Sequence, residues 1–527
     1  MTRTQGMLML SVFAAGMTTL AVELSASRLL GNVFGTSNLV WANVIGLILV
    51  YLSAGYFLGG RLADRRPDAA LFYQLLAWAA FSAGLIPLVA QPILRAAGRA
   101  FETYDLGVVL GSFASVLILF ALPVTLLGCI APFAIRLALR DVGEAGHVAG
   151  RLYALSTLGS ILGTFAPVLI LIPSIGTART FLVFAGLLLL IALAGLGLTA
   201  GRRAWAYAWM PLLLAVLAWL ALRGPIKPPP EGTRLLYEGE SEYNYIQVVE
   251  ATDGTRYLLL NEGQGIHSVY HPERLATFGT WDYFLAAPFF NAPPFGPDRV
   301  RSLALIGLAA GTIARQYTAV FGPIPIEGIE IDPDIVAVGQ RYFAMSQANL
   351  RIVVADGRYA LEHSPQRYDV IGIDAYRLPY IPWHLTTREF FESVRAHLTR
   401  QGVVAINVGR TPGDRRLIEA LGATLASVFP TVHVIDVPGT FNSLLVATVQ
   451  PTRPENLAEN LAALPPHAHP LLHGALSRAR AQLALTPQPS FPPRGGEGAF
   501  TDDRAPVEQI TNAMILQFLL QGGFSTP

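Results

Sequence analysis

The chain has 527 residues, of which 52% are hydrophobic and only 14% charged, with a formal net charge of +1. Soluble globular chains carry about 25% charged residues, so this composition excludes an entirely soluble protein. The small net charge and the lack of a long basic run argue against a nucleic-acid partner. The single cysteine, Cys129, excludes a disulfide within the chain and argues against a cysteine-based metal site.

Apolar segments long enough to span a bilayer recur before residue 223. We predict seven of them, at 7–30, 38–58, 71–93, 106–131, 152–173, 178–199 and 205–222. Arginines are concentrated in the loops after the second, fourth and sixth segments. By the positive-inside rule these loops are cytoplasmic, which also places the N-terminus inside. Residues 1–222 are therefore predicted to form a transmembrane helical bundle.

A proline-rich linker at 223–232 follows the apolar half. Beyond it, two alternating apolar runs at 245–251 and 255–260 are joined through an Asp-Gly pair. Asp-Gly between such runs is the strongest short signal for a β-hairpin. We therefore predict a small β-hairpin subdomain at 233–290.

The stretch 303–332 predicts a strand, a tight turn, a helix and a second strand, the crossover that parallel strands require. Gly307 and Gly311 bound the turn, whose small residues let the backbone approach a ligand closely. Glu330 lies about 20 residues beyond the turn, where a carboxylate can grip ribose hydroxyls. The turn lacks a full GxGxxG pattern, so an ordinary βαβ unit remains the alternative interpretation.

Helices and strands continue to alternate after this unit. We predict helices at 333–343, 386–398 and 417–429, and strands at 351–354, 369–373, 403–408, 432–437 and 443–449. Such alternation indicates an α/β domain at 291–450 with a doubly wound, mostly parallel sheet. The remaining tail, 451–527, is rich in proline, alanine and histidine. It is predicted to be partly disordered, with a terminal helix near 506–520.

Three carboxylates stand at the predicted carboxyl ends of strands: Glu330, Asp356 and Asp374. In an open parallel sheet those ends form one crevice, so we expect the three to be neighbours. Acids there can hold ribose and adenine donors or act as a general base. The alternative is helix N-capping, which Asp332 and Asp356 could also perform. The coincidence on three strands favours a binding site.

Several short stretches of the soluble half match one family in order and spacing. They are 241–245, the hairpin, Ile306-Gly307 with Gly311, 330–332, Asp356-Gly357, 368–371 running into Asp374, 385–391 and 402–404. Residues 231–449 thereby resemble the spermidine synthases, the polyamine aminopropyltransferases. The whole chain is similar to the membrane-fused form of that family. The resemblance implies a multi-pass α-helical membrane bundle followed by a domain of methyltransferase/Rossmann-like type.

The resemblance also implies roles for individual residues. Glu330 would bind the ribose hydroxyls of a decarboxylated S-adenosylmethionine, and Asp356 would accept a hydrogen bond from its adenine amine. Asp374 would orient the acceptor amine and take its proton. The other implied co-substrate-binding residues are Asn244, Gly307, Gly311 and Gly357. The family needs no prosthetic group and no metal, because decarboxylated S-adenosylmethionine, or S-adenosylmethionine itself, is a co-substrate.

Two positions depart from the family pattern. Ala310 stands where the glycine loop usually carries an aspartate that helps hold the aminopropyl ammonium. Arg377 stands three residues after Asp374, where the family usually has a second acid. Since an arginine repels a polycation, we expect poor use of putrescine and an acceptor that is less cationic or carries an acid.

These observations predict a membrane-bound transferase of spermidine-synthase type that moves an aminopropyl-like group to an amine acceptor. One alternative is a methyltransferase-like enzyme using S-adenosylmethionine, whose carboxylate Ala310 would not repel. The other is a transporter whose soluble domain senses a nucleoside or a polyamine. Glu23, the one clear acid within the predicted spans, gives the transporter little support.

The expected partners are the lipid bilayer and a small-molecule amine, with no nucleic acid and with a homo-oligomer left open. We expect a multi-pass protein of the cell membrane whose soluble domain is cytoplasmic. Seven spans would instead leave that domain outside, in conflict with a cytoplasmic nucleoside co-substrate. Either one span is miscounted or re-entrant, or the soluble half is external; we favour a miscount, through a break near Pro123.

Overall fold

The computed structural model describes residues 3–34, 38–104, 108–139, 141–261, 265–376, 380–489 and 498–520. The chain divides into two compact units. One comprises Met1–Pro228 with Glu238–Tyr245, and the other comprises Pro229–Tyr237 with Ile246–Pro527. The division near Pro228 lies inside the predicted proline-rich linker.

The first unit is helical because its long apolar runs satisfy their backbone hydrogen bonds internally. Its helices are α1 (Arg3–Phe34), α2 (Asn38–Arg65), α3 (Ala69–Tyr104), α4 (Val108–Ala138), α5 (Ala145–Ala166), α6 (Ile172–Ile175), α7 (Thr177–Ala200) and α8 (Trp209–Ala221). Within the described residues, six helical stretches are long and apolar enough to cross a membrane. They are Arg3–Gly31, Val40–Arg65, Ala69–Ala90, Ser112–Ala138, Ala145–Ile175 and Thr177–Tyr207.

The prediction of a break near Pro123 is wrong, since α4 continues through both Pro123 and Pro132. The seventh predicted span corresponds to α8, which has only 13 residues. At about 1.5 Å per residue α8 is about 20 Å long, shorter than the hydrocarbon core of about 30 Å. The discrepancy in the span count therefore arises at α8.

Glycines allow two pairs of helices in this unit to approach closely. A Cβ atom at Gly59 of α2 would lie 2.5 Å from the Cα of Cys129 on α4. A Cβ atom at Gly163 of α5 would lie 2.0 Å from the carbonyl oxygen of Met17 on α1. Small residues at helix interfaces are typical of membrane bundles, where association depends on close packing.

The smaller of two sheets has the strand order β1-β2-β3-β4. Its strands are β1 (Thr233–Glu240), β2 (Tyr245–Ala251), β3 (Arg256–Leu260) and β4 (Ile266–Tyr270). The predicted hairpin is the antiparallel pair β2–β3, in which Ile246 lies opposite Leu260. Gly254 in its turn has a φ of +83°, a conformation that glycine adopts without strain. Ile246 and Leu260 belong to a buried cluster that also contains Ile335.

The larger sheet has seven strands in the order β10-β11-β9-β8-β5-β6-β7. They are β5 (Leu303–Ile306), β6 (Ile326–Glu330), β7 (Leu350–Val354), β8 (Tyr368–Ile373), β9 (Leu398–Gly409), β10 (Thr431–Asp436) and β11 (Asn442–Thr448). The strands β5 to β9 pair in parallel, whereas β11 is antiparallel to both β9 and β10. The prediction of a doubly wound, mostly parallel sheet is confirmed.

Helices cover both faces of this sheet. They include α9 (Thr280–Phe284), α10 (Thr312–Phe321), α11 (Pro333–Tyr342), α12 (Gly357–Glu362), α13 (Arg388–Ala396) and α14 (Arg416–Ala426). Leu303 and Leu305 of β5 belong to one buried cluster, and Ala304 and Ile306 belong to another. Since successive side chains of a strand point to opposite faces, both faces of the central strand are buried.

The strand order creates a topological switch beside β5. From β5 the chain adds β6 and β7 on one side, and then β8 and β9 on the other. In open α/β sheets, ligands bind outside the carboxyl ends of the strands at such a point. A ligand site is therefore expected at the carboxyl ends of β5, β6, β7 and β8.

The segment after the sheet differs from the sequence prediction of a partly disordered tail. It contains α15 (Glu455–Ala462), α16 (Pro470–Leu485) and, beyond residues 490–497, which lie outside the described part, α17 (Val507–Leu520). Leu472, Leu476 and Ala479 of α16 are buried in the core with Leu303. Their spacing of four and three residues fits a helical face, which the proline-rich composition of the segment obscured. The predicted terminal helix corresponds to α17.

Candidate active site

Four of the predicted site residues stand at one edge of the larger sheet. Gly307 follows β5, Glu330 ends β6, Asp356 comes two residues after β7, and Asp374 follows β8. These strands are neighbours in the order β8-β5-β6-β7, and neighbouring strands lie about 4.8 Å apart. The carboxylates that are distant in sequence therefore stand at one edge of the sheet, as the sequence predicts.

The turn after β5 links two of the other strand ends. Gly307 has a φ of +88°, and a Cβ atom there would lie 2.5 Å from the carbonyl oxygen of Asp374. Ala309 also has a positive φ, of 47°, and its backbone N–H donates to Oε2 of Glu330 at 2.8 Å. The turn thus sets the spacing between the acid on β6 and the acid after β8.

Replacing Gly307 with alanine is expected to lower both the melting temperature and any turnover. A non-glycine residue in this backbone region costs about 1–3 kcal/mol, and the added methyl group would also displace the Asp374 backbone. Gly322→Ala is the matched control, because Gly322 has a φ of +78° but open space around its Cβ position. Equal losses in the two variants, measured on the full-length protein in detergent, would show that the close approach to Asp374 is unimportant.

Glu330 is buried and held by the backbone. Besides the bond from Ala309, its Oε1 accepts from the N–H of Asp332 at 3.2 Å. Burial raises the pKa of the Glu330 carboxyl to about 7, although these backbone bonds oppose the shift. Asp332, by contrast, caps α11 by accepting from the N–H of Asp334 at 3.0 Å. The capping alternative therefore applies to Asp332, and the contact of Glu330 with a nucleoside stays a prediction.

Asp356 caps helix α12 with one carboxylate oxygen and contacts His384 with the other. Its Oδ1 accepts from the N–H groups of Arg358 and Tyr359 at the start of α12, each at 3.0 Å. Its Oδ2 lies 2.8 Å from Nε2 of His384. Burial acts to raise the pKa of this carboxyl, but the bonds from Tyr359 and His384 hold it below its usual range. Asp356 is thus an anion at neutral pH, compatible with accepting a further hydrogen bond.

Asp374 is oriented by side chains from other elements. Asn407 of β9 donates from Nδ2 to Oδ1 of Asp374 at 2.9 Å, and the side chain of Trp281 also hydrogen-bonds to this carboxylate. Burial raises the pKa of Asp374 to about 6, with both hydrogen bonds opposing the shift. A carboxylate with a pKa near the working pH is well suited to general base catalysis.

Three contributors to the site were missed at the level of sequence: Asn407, Trp281 and His384. Asn407 had a signal, because it is the one polar residue in the apolar run 403–408 and lies near the carboxyl end of its strand. Tyr376 supports this region by donating from its hydroxyl to the Asn407 carbonyl at 3.0 Å. Burial raises the pKa of Tyr376 well above its usual value, so it stays a neutral donor.

Gly311 and Gly357 are positions of close packing. A Cβ atom at Gly311, whose φ is +83°, would lie 2.7 Å from Cγ of Met345. A Cβ atom at Gly357 would lie 2.4 Å from Cγ2 of Ile306, the last residue of β5. Gly357 therefore brings the turn after β7 close to β5, and Gly311 brings the turn after β5 close to Met345. Their contact with a co-substrate stays a prediction.

The remaining residues that the sequence analysis singled out have different outcomes; they are Asn244, Ala310 and Arg377. Asn244 lies between β1 and β2, where its N–H donates to Oγ of Ser241 at 2.9 Å, and its co-substrate contact stays a prediction. Arg28 of α1 donates to the carbonyl of Tyr243 at 3.1 Å in the same loop. Ala310 is buried, and its N–H donates to Oγ of Ser268 at 2.9 Å. Arg377 lies outside the described residues.

No three histidine, cysteine, aspartate or glutamate side chains gather as a metal-binding group in the described part of the chain.

Comparison with known proteins shows which family the region around these strand ends resembles. Residues 304–457 match the family model of the spermine/spermidine synthase domain. A probable polyamine aminopropyl transferase of Bifidobacterium longum (strain NCC 2705) is 38% identical over 218 residues, which are 41% of this chain and 47% of that protein. The polyamine aminopropyltransferase of Vibrio vulnificus (strain CMCP6) is 29% identical over 178 residues, 33% of this chain and 56% of that protein. The chain spans about half the length of these two relatives.

Among solved structures, a probable spermidine synthase from Corynebacterium glutamicum ATCC 13032 matches with a TM-score of 0.38 and 21% identity. The match covers 51% of this chain and 98% of that one. The family model includes β6, β7 and β8, whose ends carry Glu330, Asp356 and Asp374. By the family match and the curated relatives, the chain contains a spermidine synthase-like domain.

Proposed function

We propose that this protein is a membrane-bound transferase of spermidine-synthase type. It moves an aminopropyl-like group from decarboxylated S-adenosylmethionine to an amine acceptor. The observation that carries the proposal is Asp374, a carboxyl whose pKa burial raises to about 6 and which Asn407 orients at the switch point. The matched relatives, which are named for polyamine aminopropyl transfer, support it.

The proposed reaction is a displacement at carbon. The acceptor nitrogen attacks the methylene carbon next to the sulfonium, and a C–N bond forms as the C–S bond breaks. The electron pair of the broken bond goes to sulfur, which leaves as the neutral thioether methylthioadenosine. The proton lost by the acceptor amine goes to Asp374. Positioning and a general base can supply most of the catalysis in such a reaction.

The donor nucleoside would lie across β6 and β7. The ribose hydroxyls would donate to Glu330, whose carboxylate the N–H groups of Ala309 and Asp332 already hold. The adenine amine would donate to Oδ2 of Asp356, the oxygen that faces His384. Buried or partly buried carboxylates held by several donors are pre-organised, so little ordering is needed when the ligand binds.

We also propose that the soluble domain is cytoplasmic. The described residues contain six helices long and apolar enough to span, and an even number of spans would put both ends of the bundle on the same side. The arginine-rich loops after the second, fourth and sixth predicted segments support a cytoplasmic location for that side. With six spans, the soluble domain would lie on the same side of the membrane as a cytoplasmic nucleoside co-substrate, and the conflict that seven spans create would not arise. The limits of the linker, the hairpin subdomain and the α/β domain remain proposals.

The acceptor is proposed to differ from a simple diamine. Ala310 presents a buried methyl group, so the glycine turn contributes no carboxylate for the ammonium of an aminopropyl group. An unpaired ammonium in a partly dehydrated site loses several kcal/mol of attraction at an effective dielectric of about 20. For the acceptor, the positive charge of Arg377, where the resemblance implies a second acid, opposes a dication such as putrescine, so weak turnover with putrescine is part of this proposal.

The test uses the full-length protein in detergent with decarboxylated S-adenosylmethionine and a panel of amine acceptors. Release of methylthioadenosine that depends on both donor and acceptor would support the transferase. Consumption of S-adenosylmethionine with release of S-adenosylhomocysteine would instead indicate a methyltransferase. Ligand-induced stabilisation without turnover of either donor would contradict catalysis and favour a sensing domain.

A further inference from the structure

A second charged cluster lies at the same edge of the sheet, beyond Asp374. It comprises Arg410, which follows β9, Arg415, which precedes α14, and Asp436, which ends β10. NH1 of Arg415 lies 2.6 Å from Oδ2 of Asp436, and Nε of Arg410 lies 3.4 Å from Oδ1. Ser443 of β11 donates to the same Oδ1 at 2.5 Å. We call these residues the arginine cluster.

The charges of the arginine cluster do not balance. Two guanidinium groups share one carboxylate, so the cluster carries a net charge of +1. Each arginine side chain is less than one-fifth exposed, at 12% for Arg410 and 19% for Arg415. Moreover, Nε and NH2 of Arg415 are buried and find no hydrogen-bond partner among the described residues. Unpaired charged donors at a buried position are costly, so an oxygen ligand there would stabilise the protein.

A purely structural ion cluster is the simpler explanation, and it predicts that every guanidinium donor has a partner. A guanidinium that only ties α14 to β10 would be expected to have its five donors directed at protein oxygens. Arg416, the next residue, fits that description, because it pairs with Asp414 on the outside of the same turn. Arg415 instead has two buried donor nitrogens, which carry three of its five N–H groups and find no acceptor among the described residues, and this points to a ligand.

The arginine cluster is within reach of the proposed base. Arg410 comes three residues after Asn407, the residue that donates to Asp374 at 2.9 Å. β9 is the direct neighbour of β8, and β10 lies three strands from β8. At about 4.8 Å per strand, the cluster lies roughly 5–14 Å from Asp374 along the edge. The lower end of this span, at Arg410 beside β9, is comparable with the distance between the amine and the carboxylate of a small amino acid.

We propose that Arg410 and Arg415 bind the carboxylate of the acceptor, which is an amino acid with a side-chain amine instead of a plain diamine. The inference rests on the proposed function and specifies its substrate class. The planar guanidinium pairs with a carboxylate through two parallel hydrogen bonds, so it fixes orientation as well as charge. The side-chain amine is then directed along the edge to Asp374, where it attacks the donor carbon and loses its proton.

The experiment compares ornithine with putrescine, two diamines that differ by one carboxylate, using the full-length protein in detergent. Methylthioadenosine release gives kcat/KM for each acceptor, and calorimetry with methylthioadenosine present gives their affinities without turnover. Wild type is expected to prefer ornithine. Arg415→Gln and Arg410→Gln are each expected to reduce ornithine affinity by about tenfold or more, the typical loss of a charged hydrogen bond, and to leave putrescine unchanged or improved.

Two further variants keep the test decisive. Arg415→Lys keeps the charge and the contact with Asp436 but loses the planar guanidinium group. If Arg415→Gln does not fold, Arg415→Lys should still fold and should retain part of the ornithine affinity. Arg453→Gln removes an exposed arginine that pairs with Glu459 at 3.7 Å, and should change neither affinity. Equal effects of Arg415→Gln on both acceptors, or no preference in wild type, would overturn the proposal.

The two proposals fail in different ways. If no acceptor releases methylthioadenosine but ornithine binds in an Arg415-dependent manner, the transferase proposal fails and the carboxylate site stands. If putrescine is used as well as ornithine and Arg415→Gln changes neither, the transferase stands and the carboxylate site is wrong.

Discussion

Asp374→Asn is expected to lower turnover by about 10²–10⁴-fold, the usual range for losing a general base. Asparagine keeps the shape of the side chain but cannot accept the proton of the acceptor amine. The bond from Asn407 to Oδ1 can persist, because the new amide keeps one oxygen. Affinity for methylthioadenosine should therefore change little, and the loss should appear in kcat.

The pH profile provides an independent check on Asp374. Burial raises the pKa of its carboxyl to about 6, so below this pH the group is protonated and cannot act as a base. Turnover of wild type is expected to rise as the pH increases through about 6. Asp374→Asn should lose this limb of the profile together with its activity.

Asp369→Asn is the matched control for this prediction. Asp369 lies at the opposite end of the same strand, where it accepts from the N–H of Arg301 at 2.9 Å and from the hydroxyl of Thr399 at 2.7 Å. Its substitution should cost stability without removing the pH limb. Near-full turnover of a folded Asp374→Asn variant would show that Asp374 has only a structural role.

Glu330→Gln is expected to weaken methylthioadenosine binding by about 1–3 kcal/mol, or about 5–150-fold, because the ribose hydroxyls lose an anionic acceptor. The effect should depend on pH. Burial raises the pKa of Glu330 to about 7, and the ionised form is the better acceptor of hydroxyl hydrogen bonds. Wild-type affinity should therefore strengthen as the pH rises from about 6 to about 8, whereas the variant should show no such trend.

Calorimetry at several pH values measures both effects. Glu327→Gln is the control, since Glu327 is a buried carboxylate near the start of the same strand and pairs with Arg351 at 3.0 Å. It should bind the nucleoside normally wherever it is folded. Unchanged affinity in a folded Glu330→Gln variant, at every pH, would remove Glu330 from the nucleoside site.

Local sequence patterns determined much of this architecture. Alternating apolar runs around Asp253-Gly254 predicted the hairpin, and short apolar runs predicted the strands of the larger sheet. The acids Glu330, Asp356 and Asp374 could be assigned to one crevice because parallel strands place their carboxyl ends together. These inferences succeed since each depends on residues close together in the chain, or on a topological rule that holds for the whole fold class.

Length and composition alone misjudged two segments. The apolar run 205–222 is long enough to suggest a span, but its helix, α8, begins only at Trp209, after a 3₁₀ segment, and ends at Ala221. The proline-rich stretch after 451 suggested disorder, but Leu472 and Leu476 of α16 are buried in the core. For residues 205–222 the deciding factor was where the helix begins. For α16 it was the core against which the apolar face of the helix packs.

The chemistry of the site was decided by tertiary structure. Asn407 reaches Asp374 across 33 residues of sequence, and His384 reaches Asp356 across 28, so no local pattern could pair them. The same holds for the raised pKa of Glu330, which comes from burial by the surrounding fold. The sequence thus determined which acids stand at the strand ends, because strand periodicity and parallel topology are local or general properties. Only the tertiary structure decided their partners and their protonation, because dehydration and hydrogen bonding depend on residues brought together from distant parts of the chain.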